Sequence, residues 1–194
     1  WSDVEPEKRA ALFVKAGIHR FGPPSVKYRG IFINDEGWGI HRWAANTFEP
    51  ENGGIGPKTY EKVFELMLRL KANTLWPAMH PVTKPFNFFP QNAQLADDYA
   101  IVMGSSHAEP MLRNNVGEWS LPHDQYNYVD HKEKVSGYWE ERMKANGRYE
   151  NIYTIGMRGI HDSLMQGPQN DAERIDLLHS IFKDQRALIN KYGE

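Results

Sequence analysis

The chain has 194 residues, 40% of them hydrophobic, with a formal net charge of −2 and no cysteine. That apolar content supports a sizeable core and excludes a disordered chain. Near-neutral charge without a basic run argues against a nucleic-acid partner, the lack of cysteine removes disulfides, thiolate metal sites and a Cys nucleophile, and no apolar run approaches the roughly 18 residues of a membrane span.

Trp1 to Arg20 reads two ways. Ser2 and Glu5 have the spacing of a capping box, whereas Ala11-Leu-Phe-Val14, followed by Gly17, suits a strand or an extended connector. Gly22-Pro-Pro-Ser25 is a break, so residues 1–27 are read as the tail of a preceding domain and a linker. Beginning at Trp1 without Met or signal peptide and closing on a helix, the chain reads as an excised segment of a larger protein.

From Tyr28 the pattern is regular. Ile31-Phe-Ile33 predicts a first strand buried on both faces, ending in Asn34, Asp35 and Glu36. A long loop to Gly56 precedes a helix that starts at Pro57, a favoured first-turn position, and places Tyr60, Val63, Phe64, Met67, Leu68 and Lys71 on one face. Thr74-Leu-Trp76 predicts strand two, Leu95 to Ala100 a short helix and Ile101-Val-Met103 strand three. After a long loop from Ser105 to His131, a helix is predicted over Lys132–Asn146, with Gly147 as a left-handed terminator. Strand four is expected at Ile152–Ile155. Asn170-x-x-Glu173 reads as a capping box opening a last helix with a stop at Gly193.

Four strand and helix pairs fit either a doubly wound parallel sheet or part of an eightfold barrel. Polar residues end every strand, and no single Gly-rich turn marks a switch point. The fold class expected is therefore α/β, a (β/α)8 TIM barrel of which residues 28–194 supply about the first four units. Active sites of such barrels lie at the carboxyl ends of the strands, and those ends carry the candidate residues. Asp35 is preferred over Glu36, because adjacent residues on extended chain do not both face one cleft. Trp76 and His80 bring an aromatic plate and an imidazole, with Lys84 four residues on to meet an acidic group. Gly104-Ser-Ser-His-Ala-Glu109 combines small residues with His107 and Glu109; a Ser-His nucleophile does not fit, since no Gly-x-Ser-x-Gly elbow is present. Arg113-Asn-Asn115 adds donors or a solvated loop. Met157-Arg-Gly-Ile-His-Asp162 offers a guanidinium fork beside a carboxyl group, or a structural ion pair. A metal site on His80, His107 and His161 is the alternative, although neither His-x-His nor His-Glu-x-x-His occurs.

The blocks Tyr28-Arg-Gly-Ile-Phe-Ile-Asn-Asp-Glu36, Leu75-Trp-Pro-Ala-Met-His80, Ile101-Val-Met-Gly-Ser-Ser-His107, Glu109-Pro-Met-Leu-Arg-Asn-Asn115 and Tyr149-Glu-Asn-Ile-Tyr-Thr-Ile-Gly-Met-Arg-Gly-Ile-His-Asp162 resemble glycoside hydrolase family 115, the xylan α-1,2-glucuronidases. The resemblance implies a multidomain enzyme, secreted or in the periplasm or cell envelope. Such an enzyme takes glucuronic acid or its 4-O-methyl form from glucuronoxylan or its oligosaccharides, with inversion and without metal or other cofactor. It matches Asp35, His107, Arg158 and Asp162 to pocket residues, with Asp162 paired catalytically to Asp35 or to a residue outside this segment. His107, Arg158 and Lys84 would hold the uronate carboxylate, Trp76 or Trp38 would stack on sugar, and a glutamate expected after a fifth strand has no counterpart here. A non-catalytic uronate- or xylan-binding relative and a metal-dependent barrel hydrolase are the alternatives.

Overall fold

The computed structural model describes residues 22–193 continuously, with Ala10, Ala11, Phe13, residues 15–18 and Arg20 before them. The readings of Ser2, Glu5, Leu12 and Val14 lie outside the described residues. Three short strands, β1 (Gly30–Phe32), β2 (Thr74–Trp76) and β3 (Val102–Met103), form a parallel sheet in the order β1-β2-β3. Its register pairs Gly30 with Thr74, Phe32 with Trp76 and Leu75 with Met103. Chain order equals spatial order, and each crossover carries a helix, as parallel pairing requires. A four-residue α1 (Ile40–Trp43) and then α2 (Pro57–Arg69) lie between β1 and β2, and α3 (Pro90–Asp98) lies between β2 and β3. The remaining helices are α4 (Asn115–Glu118), α5 (Lys132–Asn146) and α6 (Asp171–Tyr192).

Two sequence expectations change at the sheet edges. Ile152–Ile155 is not a strand: a single parallel bridge joins Met103 to Asn151, and the Ile152 N–H donates to the Met103 carbonyl at 2.9 Å. The segment nevertheless runs beside β3, because the Thr154 carbonyl accepts from the Met111 N–H at 2.9 Å and its hydroxyl donates to the Ser105 carbonyl at 2.7 Å. The loop after β3 thus takes the polar groups that a further strand would otherwise pair. At the other edge Gly30 and Ile31 are exposed and Phe32, on the opposite face from Ile31, is half-buried, so β1 is not buried on both faces.

Two cores flank this sheet. On α2, Tyr60, Val63, Phe64 and Met67 pack with Ile33, Leu75, Ala93, Ala96, Ile101 and Met103. Leu68, read on this face, is exposed, and Lys71 lies past the end of α2 in left-handed conformation (φ 59°), off the apolar face. The second core joins the long loop to α5 and α6 through Trp119, Tyr126, Tyr138, Trp139, Met143 and Ile181. Trp119 meets Tyr126 and Tyr138 edge-on at 5.0 and 5.1 Å, the geometry that ring quadrupoles favour. The loop is therefore a packed module and not an open strap.

Arg113 and Asn114, read as donors or solvated loop, are spent inside that module. Arg113 is buried, lies over the Tyr138 ring, donates to the Tyr138 carbonyl at 2.7 Å and pairs with Glu118 at 2.8 Å; Glu118 also pairs with Arg142. The Asn114 side chain caps α4 by accepting from the Gly117 N–H.

Asn170 caps α6 as read, its Oδ1 accepting the Glu173 N–H at 3.0 Å, but the Glu173 carboxylate accepts from Asn170 Nδ2 at 2.8 Å and from the Gln169 N–H at 2.8 Å rather than from the Asn170 N–H of a full capping box. Gly147 differs from its reading. It is right-handed (φ −60°, ψ −24°), and a Cβ there would stand 2.0 Å from the Tyr192 carbonyl oxygen. The glycine is needed for the close approach of the end of α6. Gly147→Ala is expected to cost about 1–3 kcal/mol through forced backbone displacement, read as a lower melting temperature of the full-length protein with the α5–α6 amides losing protection first.

Candidate active site

The carboxyl ends of the strands carry a continuous polar surface. After β1 the chain passes Asn34 and enters Asp35 in left-handed conformation (φ 51°, ψ 37°), which Asn and Asp tolerate better than other side chains. That kink separates the neighbours. Asp35 stays half exposed, with Oδ1 3.8 Å from His80 Nε2. Glu36 turns inward, 1% exposed, and Oε1 accepts the His80 backbone N–H at 2.7 Å. The His80 ring lies 3.1 Å from Asn34 Oδ1. Strand-end residues of β1 and β2 are thereby tied together at His80.

The second half of the surface is a three-residue cluster. Asp162 Oδ1 accepts from Arg158 Nη1 at 2.7 Å and lies 2.9 Å from His107 Nε2, while Arg158 Nη2 donates to the Asp162 carbonyl at 3.0 Å. His107 comes from the loop after β3; Arg158 and Asp162 come from the segment bridged to β3. His161 connects the halves: its ring centroid is 5.6 Å from that of His80, and it precedes Asp162 in sequence. His161 is itself left-handed (φ 54°), and its N–H donates to Asn115 Oδ1 at 3.0 Å. Asn115, 1% exposed, also donates to the Ala108 and Gly159 carbonyls. Strain held by such buried bonds is the usual mark of a site whose geometry is over-determined. Sequence reading missed Asn115 in this role, because an Asn in an Arg-Asn-Asn run carries no sign of which backbone groups it will join.

Asp35, His80, His107, Arg158 and Asp162 thus share one face, whereas two other candidates do not. Lys84 lies 4.4 Å from the Phe88 ring centre and 5.6 Å from that of Phe89, so its ammonium is held over its own aromatic loop. Glu109 is 3% exposed and bonds Ser106, which places it under the surface rather than at a ligand. Trp76 meets Phe32 edge-on at 5.6 Å and is part exposed. Its indole lies against Gly104, where a Cβ would come within 2.6 Å of Nε1; only glycine lets the plate reach that depth. Trp38, just past Glu36, is 87% exposed.

Chemically, Asp162 is a carboxylate with two cationic or proton-donating neighbours, and Arg158 is a guanidinium with donors beyond the two it spends on Asp162. The same face therefore offers proton transfer and recognition of an anionic group. Among the described residues no three His, Cys, Asp or Glu side chains gather closely enough to hold a metal ion.

The model of glycosyl hydrolase family 115 matches residues 21–194. A search of the curated proteins returned no match. Among solved structures, one of a GH115 4-O-methyl-α-glucuronidase, BtGH115A, with specificity for decorated arabinogalactans, is 49% identical with a TM-score of 0.83, over 88% of this chain and 23% of that one. The present chain therefore spans less than a quarter of that relative. A match across nearly the whole sequence, with near-half identity on a shared fold, means that the chain belongs to glycosyl hydrolase family 115.

Proposed function

We propose that residues 28–194 are the N-terminal half of a (β/α)8 catalytic barrel, and residues 1–27 the tail of a preceding domain. The parent enzyme would act outside the cytoplasm to release α-1,2-linked glucuronic acid or 4-O-methylglucuronic acid from glucuronoxylan. The barrel reading is supported by the sequential parallel order of the sheet and by the edge of β1, open among the described residues, which the rest of the parent chain would pair. The single observation that carries the function is the Arg158–Asp162–His107 cluster at the strand ends of a family 115 chain. A uronate differs from a neutral sugar by one carboxylate, and a guanidinium fork backed by an imidazole is the group that selects it.

In the inverting mechanism one carboxyl protonates the leaving oxygen and a second activates water from the opposite face, the two standing roughly 6.5–9.5 Å apart. Asp162 is assigned to this pair, with Asp35 or a carboxyl from the rest of the barrel as its partner. Arg158 and His107 hold the uronate, His80 lines the β1 side, and Trp76 or Trp38 gives a flat face for sugar.

A second reading of the polymer is favoured by the solved relative, whose specificity is for decorated arabinogalactans. The full-length enzyme is expected to release 4-O-methylglucuronic acid from one of the two polymers, and NMR of the fresh product is expected to show inverted anomeric configuration. Heat of uronate binding with no release from either polymer would make the protein a sugar-binding relative instead.

A further inference from the structure

We propose that Glu109 is a positioning residue for this site: its buried carboxyl, acting through Ser106, fixes the turn that carries His107 against Asp162. The importance of His107 rests on the function proposed above; the geometry does not. Glu109 Oε2 lies 3.2 Å from the Ser106 hydroxyl and accepts weakly from the Ser106 N–H at 3.4 Å. The turn is closed again by the Glu109 N–H on the Ser106 carbonyl at 3.1 Å and by the Ser105 hydroxyl on the Glu109 carbonyl at 2.6 Å. His107 follows Ser106 directly, so the carboxyl and the imidazole are opposite ends of one tight element.

The Ser106 hydroxyl has a second neighbour, Met79 Sδ at 3.0 Å, and Met79 precedes His80. One hydroxyl hydrogen cannot serve both contacts. If Glu109 is protonated, it donates to Ser106 Oγ and the serine hydrogen is left for the sulfur, joining the turns of His107 and His80. If Glu109 is ionised, it takes the serine hydrogen and the link to Met79 is lost. The surroundings favour the first arrangement. The charged and titratable groups facing Glu109 are Glu36 after β1, Glu118 on α4 and Tyr60 on α2, and Glu118 is already neutralised by Arg113 and Arg142. Burial, with smaller repulsion from Glu118 and Glu36, pushes the Glu109 carboxyl up to about 8 against the opposing pull of the Ser106 bonds.

The folded protein therefore keeps a proton that the unfolded chain has released above the ordinary carboxyl range. The Glu109 contribution to stability falls as pH rises from about 4.5 to about 8 and is constant above. A glutamine at this position removes that slope.

The test uses the full-length enzyme with 13C-labelled histidine, the His107 resonance being assigned through His107→Ala. In the parent protein the His107 signal is expected to show an inflection near pH 8, matched by an alkaline limb in kcat. Glu109→Gln should abolish both while keeping kcat at neutral pH within about threefold, and Glu109→Ala should lower kcat about 10- to 100-fold with a smaller change in KM. A Glu109→Gln protein with the inflection and the limb unchanged, or a Glu109→Ala protein with unchanged kcat, overturns the proposal. If the parent releases no uronate but the inflection still disappears in Glu109→Gln, the functional reading fails and the positioning role stands.

Discussion

Asp162→Asn in the full-length enzyme is expected to lower kcat by about 10³-fold while uronate affinity changes by no more than about threefold. The two effects separate because the amide keeps the shape and one acceptor oxygen of the carboxylate. Arg158 Nη2 bonds the Asp162 backbone carbonyl, not its side chain, so half of the guanidinium anchorage is untouched by the substitution. What the amide cannot do is carry a proton to or from a reacting oxygen. Single-turnover release of 4-O-methylglucuronic acid and calorimetry with the free acid measure the two quantities independently. A variant with kcat within about fivefold of the parent would remove Asp162 from the acid–base pair. Loss of uronate binding together with kcat would instead make Asp162 a group that organises Arg158 and His107.

What could be read from the sequence divides along physical lines. The helices were legible because their signals are local: Pro57 at a first turn, apolar steps of three and four, and the reciprocal Asn170–Glu173 cap are complete within a few residues. The parallel sheet followed from alternation of short apolar runs with those helices. Strand four was overread because the Ile152–Ile155 run states only apolar character, while its pairing was decided by Met111 and by the Thr154 hydroxyl, which no pattern connects to it. Gly147 was misassigned for a similar reason: a glycine that ends a helix and one that admits a neighbouring carbonyl look alike until α6 is in place.

At the candidate site the same rule applies. Asp35, His80 and His107 follow β1, β2 and β3, and parallel strands deliver their carboxyl ends to one side; Arg158 and Asp162 reach His107 from the segment bridged to β3, which is not a strand. Burial was not legible. Glu109 belongs to the same short run as His107, yet one turn of chain puts the carboxyl below the surface and the imidazole on it. Glu36 is turned away from the Asp35 side chain by the left-handed backbone of Asp35 itself, which the Asn-Asp-Glu sequence permits without announcing.

Glu49→Ala is expected to be the most damaging substitution for stability, at about 3–5 kcal/mol. Glu49 is 1% exposed and has no cationic partner among the described contacts; it acts as the N-terminal cap of α2 from outside the helix. Its two oxygens accept from the Gly56 N–H at 2.9 Å, the Thr59 N–H at 3.1 Å, the Thr59 hydroxyl at 2.8 Å, the Lys58 N–H at 3.2 Å and Asn52 Nδ2 at 2.7 Å. These include backbone donors that every helix leaves unpaired at its start, and Gly56, the residue at the cap position, has no side chain to serve them. Alanine would strand buried donors and remove a negative charge from the positive end of the helix dipole. Glu49→Gln, retaining one acceptor oxygen but turning an amide towards N–H groups, should fall between alanine and the parent. The consequence is expected to reach the candidate site, since α2 carries Tyr60, whose hydroxyl accepts the Ala78 N–H at 3.3 Å, two residues before His80. Hydrogen exchange on the full-length protein should therefore show Glu49→Ala releasing the amides at the start of α2 first and those of residues 78–80 with them. Loss of protection confined to residues 49–59 would mean that α2 does not support the His80 turn.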